Sequence, residues 1–148
     1  MVLKIVPVLL VIGLMLYAWY RDGVRKLTRD YACLKSFDGA LEPCIVRFPI
    51  GETGTDCLLG ADREGLYISS SPDAVKKNKW SRRYYTLKTP VFIPWSRLQI
   101  SDAKFPMRSC LRFDVPSIQA TFFVPRGTGN LLLKRAAING NEDSRNPF

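Results

Sequence analysis

The first residues after the amino terminus set the pattern for the chain. Ile5-Val-Pro-Val-Leu-Leu-Val-Ile-Gly-Leu-Met-Leu-Tyr-Ala-Trp-Tyr20 carries no charge, whereas everything after it mixes apolar with polar positions. At 1.5 Å per residue this stretch makes roughly 24 Å of helix, and Val2 and Leu3, with Lys4 snorkelling outward, extend it to about 28 Å. That approaches the ~30 Å hydrocarbon core of a bilayer and predicts a transmembrane anchor over residues 1–22. Pro7 stands near the start, where a missing N–H costs least. Tyr17, Trp19 and Tyr20, followed by Arg21, form the membrane-interface end, since amphipathic rings favour the headgroup layer. A cleaved signal peptide would need a small-x-small cleavage pair, which is missing at the right place. A buried globular helix would need a polar face.

Asp22-Gly23 then breaks the pattern. Val24, Leu27, Tyr31 and Leu34 recur at three- and four-residue steps among Arg25, Lys26, Arg29, Asp30 and Lys35. This predicts an amphipathic helix of about three turns within 23–36. Its apolar stripe has two possible surfaces: the headgroup layer or the domain that follows.

From Phe37 the punctuation becomes that of β-structure. Strands are predicted at Cys44–Phe48, Cys57–Gly60, Leu66–Ser70, Val91–Ile93, Arg97–Ile100, Cys110–Val115 and Ile118–Val124. Asp38-Gly39, Gly51–Gly54 and Asp62–Gly65 mark turns or loops. Ser71-Pro72-Asp73 opens a long excursion, with Ser71 placed to cap a helical turn and Pro72 at its first position. Pro125–Gly129 reads as a loop, and Asn130 as the cap of a helix over 131–138 that stops at Asn139-Gly140. The expected fold is mainly β, about seven strands with a C-terminal helix over 37–138, and a flexible tail at 139–148.

That element order is the order of a pleckstrin-homology-like barrel, a small sandwich being the alternative. Glu64-Gly-Leu-Tyr-Ile-Ser69 followed by Pro90-Val-Phe-Ile-Pro-Trp-Ser-Arg-Leu98 resembles small bacterial membrane proteins that carry such a domain. The resemblance covers roughly Glu64 to Ile100. It implies a barrel with a short N-terminal segment in the bacterial inner membrane, and no established activity. The excursion from Ser71 to Lys88 is longer and more basic than the resemblance implies, and Arg97 stands where those proteins have an acid. Gly65 would permit the turn before its strand, and Trp95 is large enough to plug a barrel end.

Charge gives direction to this picture. The formal net charge is +9. Residues 30–75 carry eight acids against Lys35, Arg47 and Arg63, whereas 76–88 carry six bases and no acid. Arg21, Arg25, Lys26 and Arg29 after the apolar stretch outweigh Lys4 before it, so the positive-inside bias puts the C-terminal domain in the cytoplasm and the amino terminus outside. In that compartment Cys33, Cys44, Cys57 and Cys110 are expected as free, mostly buried thiols.

The chain has no histidine, which removes His-based triads, His zinc ligands and His pH switches. Gly60–Gly65 has the glycine spacing of a P-loop, but Leu66-Tyr67 stands where Lys-Ser/Thr is required. Asp56, Asp62 and Glu64 read as turn residues without a carboxylate pair. A Ser–Lys hydrolase built on Ser69, Ser70 or Ser71 is the weakest of the alternatives. No catalytic residue, cofactor or metal is expected, and no nucleic-acid signature accompanies the bases. Lys76, Lys77, Lys79, Trp80, Arg82, Arg83 and Tyr84 form the strongest local signal, a basic-aromatic stretch fit for a protein partner or for anionic lipid. The expected function is a membrane-anchored, non-catalytic binding module for a protein partner, with anionic-lipid binding through 76–88 as the alternative.

Overall fold

The computed structural model describes residues 2–20, 23–49, 54–72, 87, 89–105 and 107–142. Helix α1 runs Val2–Tyr20. Its side chains from Ile5 to Tyr17 are all exposed, the large apolar ones by 47% to 69%. Among the described residues no helix is long and apolar enough to cross a membrane. The structure therefore supplies an exposed apolar helix and not the expected transmembrane span.

Helix α2, Gly23–Tyr31, is shorter than the predicted three turns. It stops because the next residue, Ala32, bridges antiparallel to Val91, and the Cys33 N–H donates to the Pro90 carbonyl at 2.8 Å. Leu34, placed by the pattern on the apolar stripe, is 94% exposed beyond the helix end.

The strands are β1 (Glu42–Arg47), β2 (Gly54–Ala61), β3 (Gly65–Ser70), β4 (Val91–Pro94), β5 (Gln99–Lys104), β6 (Ser109–Val115) and β7 (Ala120–Pro125). They form one antiparallel sheet in the order β4-β3-β2-β1-β7-β6-β5. β1 pairs with β2 along its length, from Glu42↔Leu59 to Arg47↔Gly54, but meets β7 only at Arg47↔Phe123. The inward residues of both halves nevertheless share one cluster: Leu59, Leu66, Ile68 and Ile93 with Phe113, Val115, Phe122 and Val124. A flat sheet cannot bring β4 and β6 together, so the sheet curls into a half-barrel. Phe113 and Phe122 stack at its centre, ring centroids 5.2 Å apart.

Helix α3, Arg126–Glu142, follows β7 without a loop. It begins five residues before the predicted start, and the glycine-rich Arg126–Gly129 stretch is its first turn. A Cβ on Gly129 would lie 2.6 Å from Leu111 Cδ1, so the glycine lets the helix press against β6. Leu132 is fully buried, and Arg135 donates to Glu42 Oε1 at 2.6 Å. The predicted strand at Arg97 is instead a 3-10 turn, Trp95–Arg97, and Ile118 likewise lies in a 3-10 turn, Pro116–Ile118.

Candidate functional site

Register fixes which connections share an end of the half-barrel. β1 leaves at Arg47, β2 enters at Gly54, β3 leaves at Ser70 opposite Cys57, and β4 enters at Val91 opposite Ile68. β7 enters at Ala120 and runs antiparallel to β1, which brings the β6–β7 turn to that same end. The β1–β2, β3–β4 and β6–β7 connections therefore gather together.

Helix α2 lies across this loop end and touches the β1–β2 and β6–β7 connections, while Ala32 and Cys33 just after it meet Val91 and Pro90 at the end of the third. A Cβ on Gly23 would sit 3.2 Å from Phe48 Cδ1. The Lys26 ammonium donates to the Gln119 carbonyl at 3.4 Å, and the Tyr31 hydroxyl is 3.0 Å from Ser117 Oγ. Val24 and Leu27 enter the core cluster, with Leu27 fully buried. Of the two surfaces open to the apolar stripe of α2, the domain takes it. Gln119 holds a left-handed backbone, φ 53, which aims its carbonyl from the 3-10 turn.

The predicted site residues are distributed as follows. Tyr17 is exposed on α1, Trp19 and Tyr20 belong to its last turn, and Arg21 lies outside the described residues. Lys76, Lys77, Lys79, Trp80, Arg82, Arg83 and Tyr84 also lie outside them. Both roots of that excursion are described. Helical backbone begins at Pro72, in keeping with Ser71 as a cap position. At the return, Leu87 is buried in the core and its N–H donates to Ser70 Oγ at 2.8 Å. The Ser70 hydroxyl thus ties the two described roots of the excursion together.

Away from the loop end, Asp62 organises the β2–β3 turn. Its Oδ1 accepts the N–H groups of Glu64 and Gly65 at 2.8 and 2.9 Å, an Asx turn. The indole N–H of Trp95 donates to the Asp62 carbonyl at 2.8 Å, so Trp95 clamps this turn as well as packing on the core. Gly65 has a closer constraint than the turn: a Cβ there would lie 2.4 Å from the Ile93 carbonyl oxygen.

Among the described residues, cavities open on the outside at two places that bear on the site. One, of about 310 Å³, lies where β1 and β7 part, floored by Ile45 and Phe123 and flanked by Arg47 and Arg108. Phe105 stacks on Phe123 there at 4.3 Å. The other, of about 510 Å³, lies between β3 and the segment that leaves α2, residues 33–39. Phe37 of that segment stacks on Tyr67, centroids 5.3 Å apart, and fills the space a side chain at Gly60 would take, 2.4 Å from an ideal Cβ there. Sequence reasoning placed Tyr67 on a strand but not Phe37 upon it; the one available signal was an aromatic directly before the Asp38-Gly39 turn.

All four cysteines are free. Cys44 and Cys57 face each other across β1 and β2. Burial, aided by nearby Glu42, pushes the Cys44 thiol up to about 12, and burial pushes Cys57 to about 12 as well, so both stay protonated at neutral pH. These thiols pack the barrel wall and are poor nucleophiles. No protein-family model, no curated protein and no solved structure matches this chain.

Proposed function

We propose that this chain is a non-catalytic, pleckstrin-homology-like binding module, held at the cytoplasmic face of a bacterial membrane by α1 and engaging a protein partner there. One observation carries the reading. Helix α2 starts three positions after α1 ends and is built into the loop end of the half-barrel, so the domain begins where the apolar helix stops. The continuous exposed apolar surface of Ile5–Tyr17 supports attachment, because an apolar patch of that extent marks a membrane or protein contact. Four strands on the β1 side of the sheet, three on the β7 side and a helix after the last strand support the pleckstrin-homology-like assignment.

Labelling Cys33 with a membrane-impermeant maleimide, applied to intact cells and to inverted vesicles, tests the placement. Modification in inverted vesicles alone is expected; modification in intact cells would refute it. Cross-linking in native membranes, followed by purification of the full chain, tests the partner, and repeated recovery of the uncross-linked chain by itself would count against one.

Anionic lipid is the second reading, and the roots of the 76–88 stretch favour it. Ser70 and Leu87 are bonded to each other at the described roots of the excursion that carries this stretch, and β4, which follows it, is bridged by Ala32 directly after α2. In this reading Lys76, Lys77, Lys79, Arg82 and Arg83 meet headgroup phosphates, each contributing about 1 kcal/mol near an anionic leaflet. Lysine-reactive labelling of the full chain in nanodiscs distinguishes the two. Protection of Lys76, Lys77 and Lys79 in anionic but not zwitterionic discs supports lipid contact, and equal labelling in both removes it.

A further inference from the structure

We infer that the cavity where β1 and β7 part binds a small organic acid, a single carboxylate on a short apolar stem. The parting has a cause in the backbone. Arg47 pairs with Phe123, and two residues further in that register Ile45 meets Pro125. Pro125 has no N–H to carry the ladder on, and the chain turns into α3 at Arg126. The opening left between the strands has a volume of about 310 Å³, at the small end of the ~300–1,000 Å³ range of small-molecule sites. Its floor is apolar: Ile45 is 45% exposed, and Phe123 lies beside it with Phe105 stacked on its ring.

Charge selects the occupant. Arg47 and Arg108 are the charged side chains of the lining, with no carboxylate among them, so the complementary ligand is an anion. The Ser109 and Thr128 hydroxyls on the same wall add two further donors. Among the described residues the Arg108 guanidinium has neither an ion pair nor a side-chain hydrogen bond, whereas Arg47 is already engaged within the protein. One open guanidinium matches one monovalent carboxylate, which it can hold through two parallel N–H donors, better than it matches a doubly charged phosphate. The stem of the same molecule would lie on Ile45 and Phe123 and take their exposed apolar surface out of water. Register sets Pro43, Pro125 and the β5–β6 turn that carries Arg108 towards the end of the half-barrel opposite α2. The site therefore rests on neither the partner reading nor the lipid reading.

The test uses the full chain in nonionic detergent micelles, with hexanoate as the probe, titrated calorimetrically at constant ionic strength against a blank of micelles alone. Saturable binding is expected in the wild type, weaker by about tenfold in Arg108→Gln and several-fold in Ile45→Ala. Arg97→Gln is the matched control: Arg97 is exposed, lies outside the cavity and likewise has no partner among the described residues, so its loss should leave binding unchanged. Arg108 is exposed, and without ligand Arg108→Gln is expected to melt at the wild-type temperature, which separates lost binding from lost folding. No saturable heat in the wild type, equal binding of 1-hexanol or hexylammonium, an equal loss in Arg97→Gln, or undiminished binding by Arg108→Gln would each overturn the assignment.

Discussion

Replacing Leu27 by Ala asks whether α2 belongs to the half-barrel. Its side chain is fully buried in the cluster that also holds Val91, Phe48 and Phe122. The substitution removes three carbons, about 2.4 kcal/mol at ~0.8 per buried CH₂, and the residual cavity raises this to about 3 kcal/mol. For a domain of this size, with a urea slope of about 2 kcal/mol per M, the unfolding midpoint should fall by about 1.5 M at unchanged slope. Urea titration of the full chain in micelles measures this, followed by far-ultraviolet circular dichroism. Leu34→Ala is the matched control, since Leu34 is 94% exposed and should move the midpoint by less than ~0.5 kcal/mol. If α2 instead lay on headgroups, Leu27→Ala would behave like the control. A midpoint within about 0.25 M of the wild type would refute the docking.

Three further changes report on other parts of the fold. Gly65→Ala should destabilise by about 2 kcal/mol or more, because its Cβ would meet the Ile93 carbonyl oxygen at 2.4 Å and that atom belongs to a strand; a thermal melt within 2 °C of the wild type would contradict this. Trp95→Phe loses the bond to the Asp62 carbonyl, worth about 1 kcal/mol, and should speed amide exchange at Glu64 and Gly65; unchanged exchange there would show the clamp is not needed. Cys44 and Cys57 have folded pKa values raised to about 12 from an ordinary 9.0, so the stability they confer is complete below pH 9 and is lost as pH climbs from 9 towards 12. Replacing both by Ala should flatten that part of the alkaline limb, and fast alkylation of either thiol in the native protein at pH 8 would contradict their burial.

The strands were legible because each runs in a short alternating stretch between strong turn residues, and β1, β3, β4 and β6 lie within two residues of where the pattern puts them. The misplacements come from tertiary demands that local pattern does not carry. Arg126–Gly129 looked like a loop because two glycines weaken a helix, yet Gly129 is where α3 needs a residue without a side chain against Leu111. Leu34 fitted the helical stripe of α2, but pairing of Ala32 with Val91 ended the helix first, a contact between positions far apart in sequence. The same holds for the cavity beside β3. Asp56, Asp62 and Glu64 all read as turn residues; Asp62 and Glu64 do lie in the β2–β3 turn, Asp56 lies within β2 opposite Ile45, and the company of Asp62 and Glu64 with Tyr67, Phe37 and Asp38 depends on the segment after α2 folding back over β3. The basic-aromatic stretch is the strongest local signal, and what the structure adds is the bond between Ser70 and Leu87 at the described roots of the excursion that carries it.

The docking of α2 has a consequence in time. Lys26 and its partner Gln119 are 93 residues apart in the chain. At about 5–20 residues per second, ribosomal synthesis takes roughly 5–20 s to supply β7 and the turn before it after α2 has been made. Throughout that interval Val24 and Leu27 have no half-barrel to enter. The stripe of α2 is thus among the first apolar surfaces of the domain to be made and among the last to be buried, and the arrival of β7 with the turn before it is the event that closes the core over it.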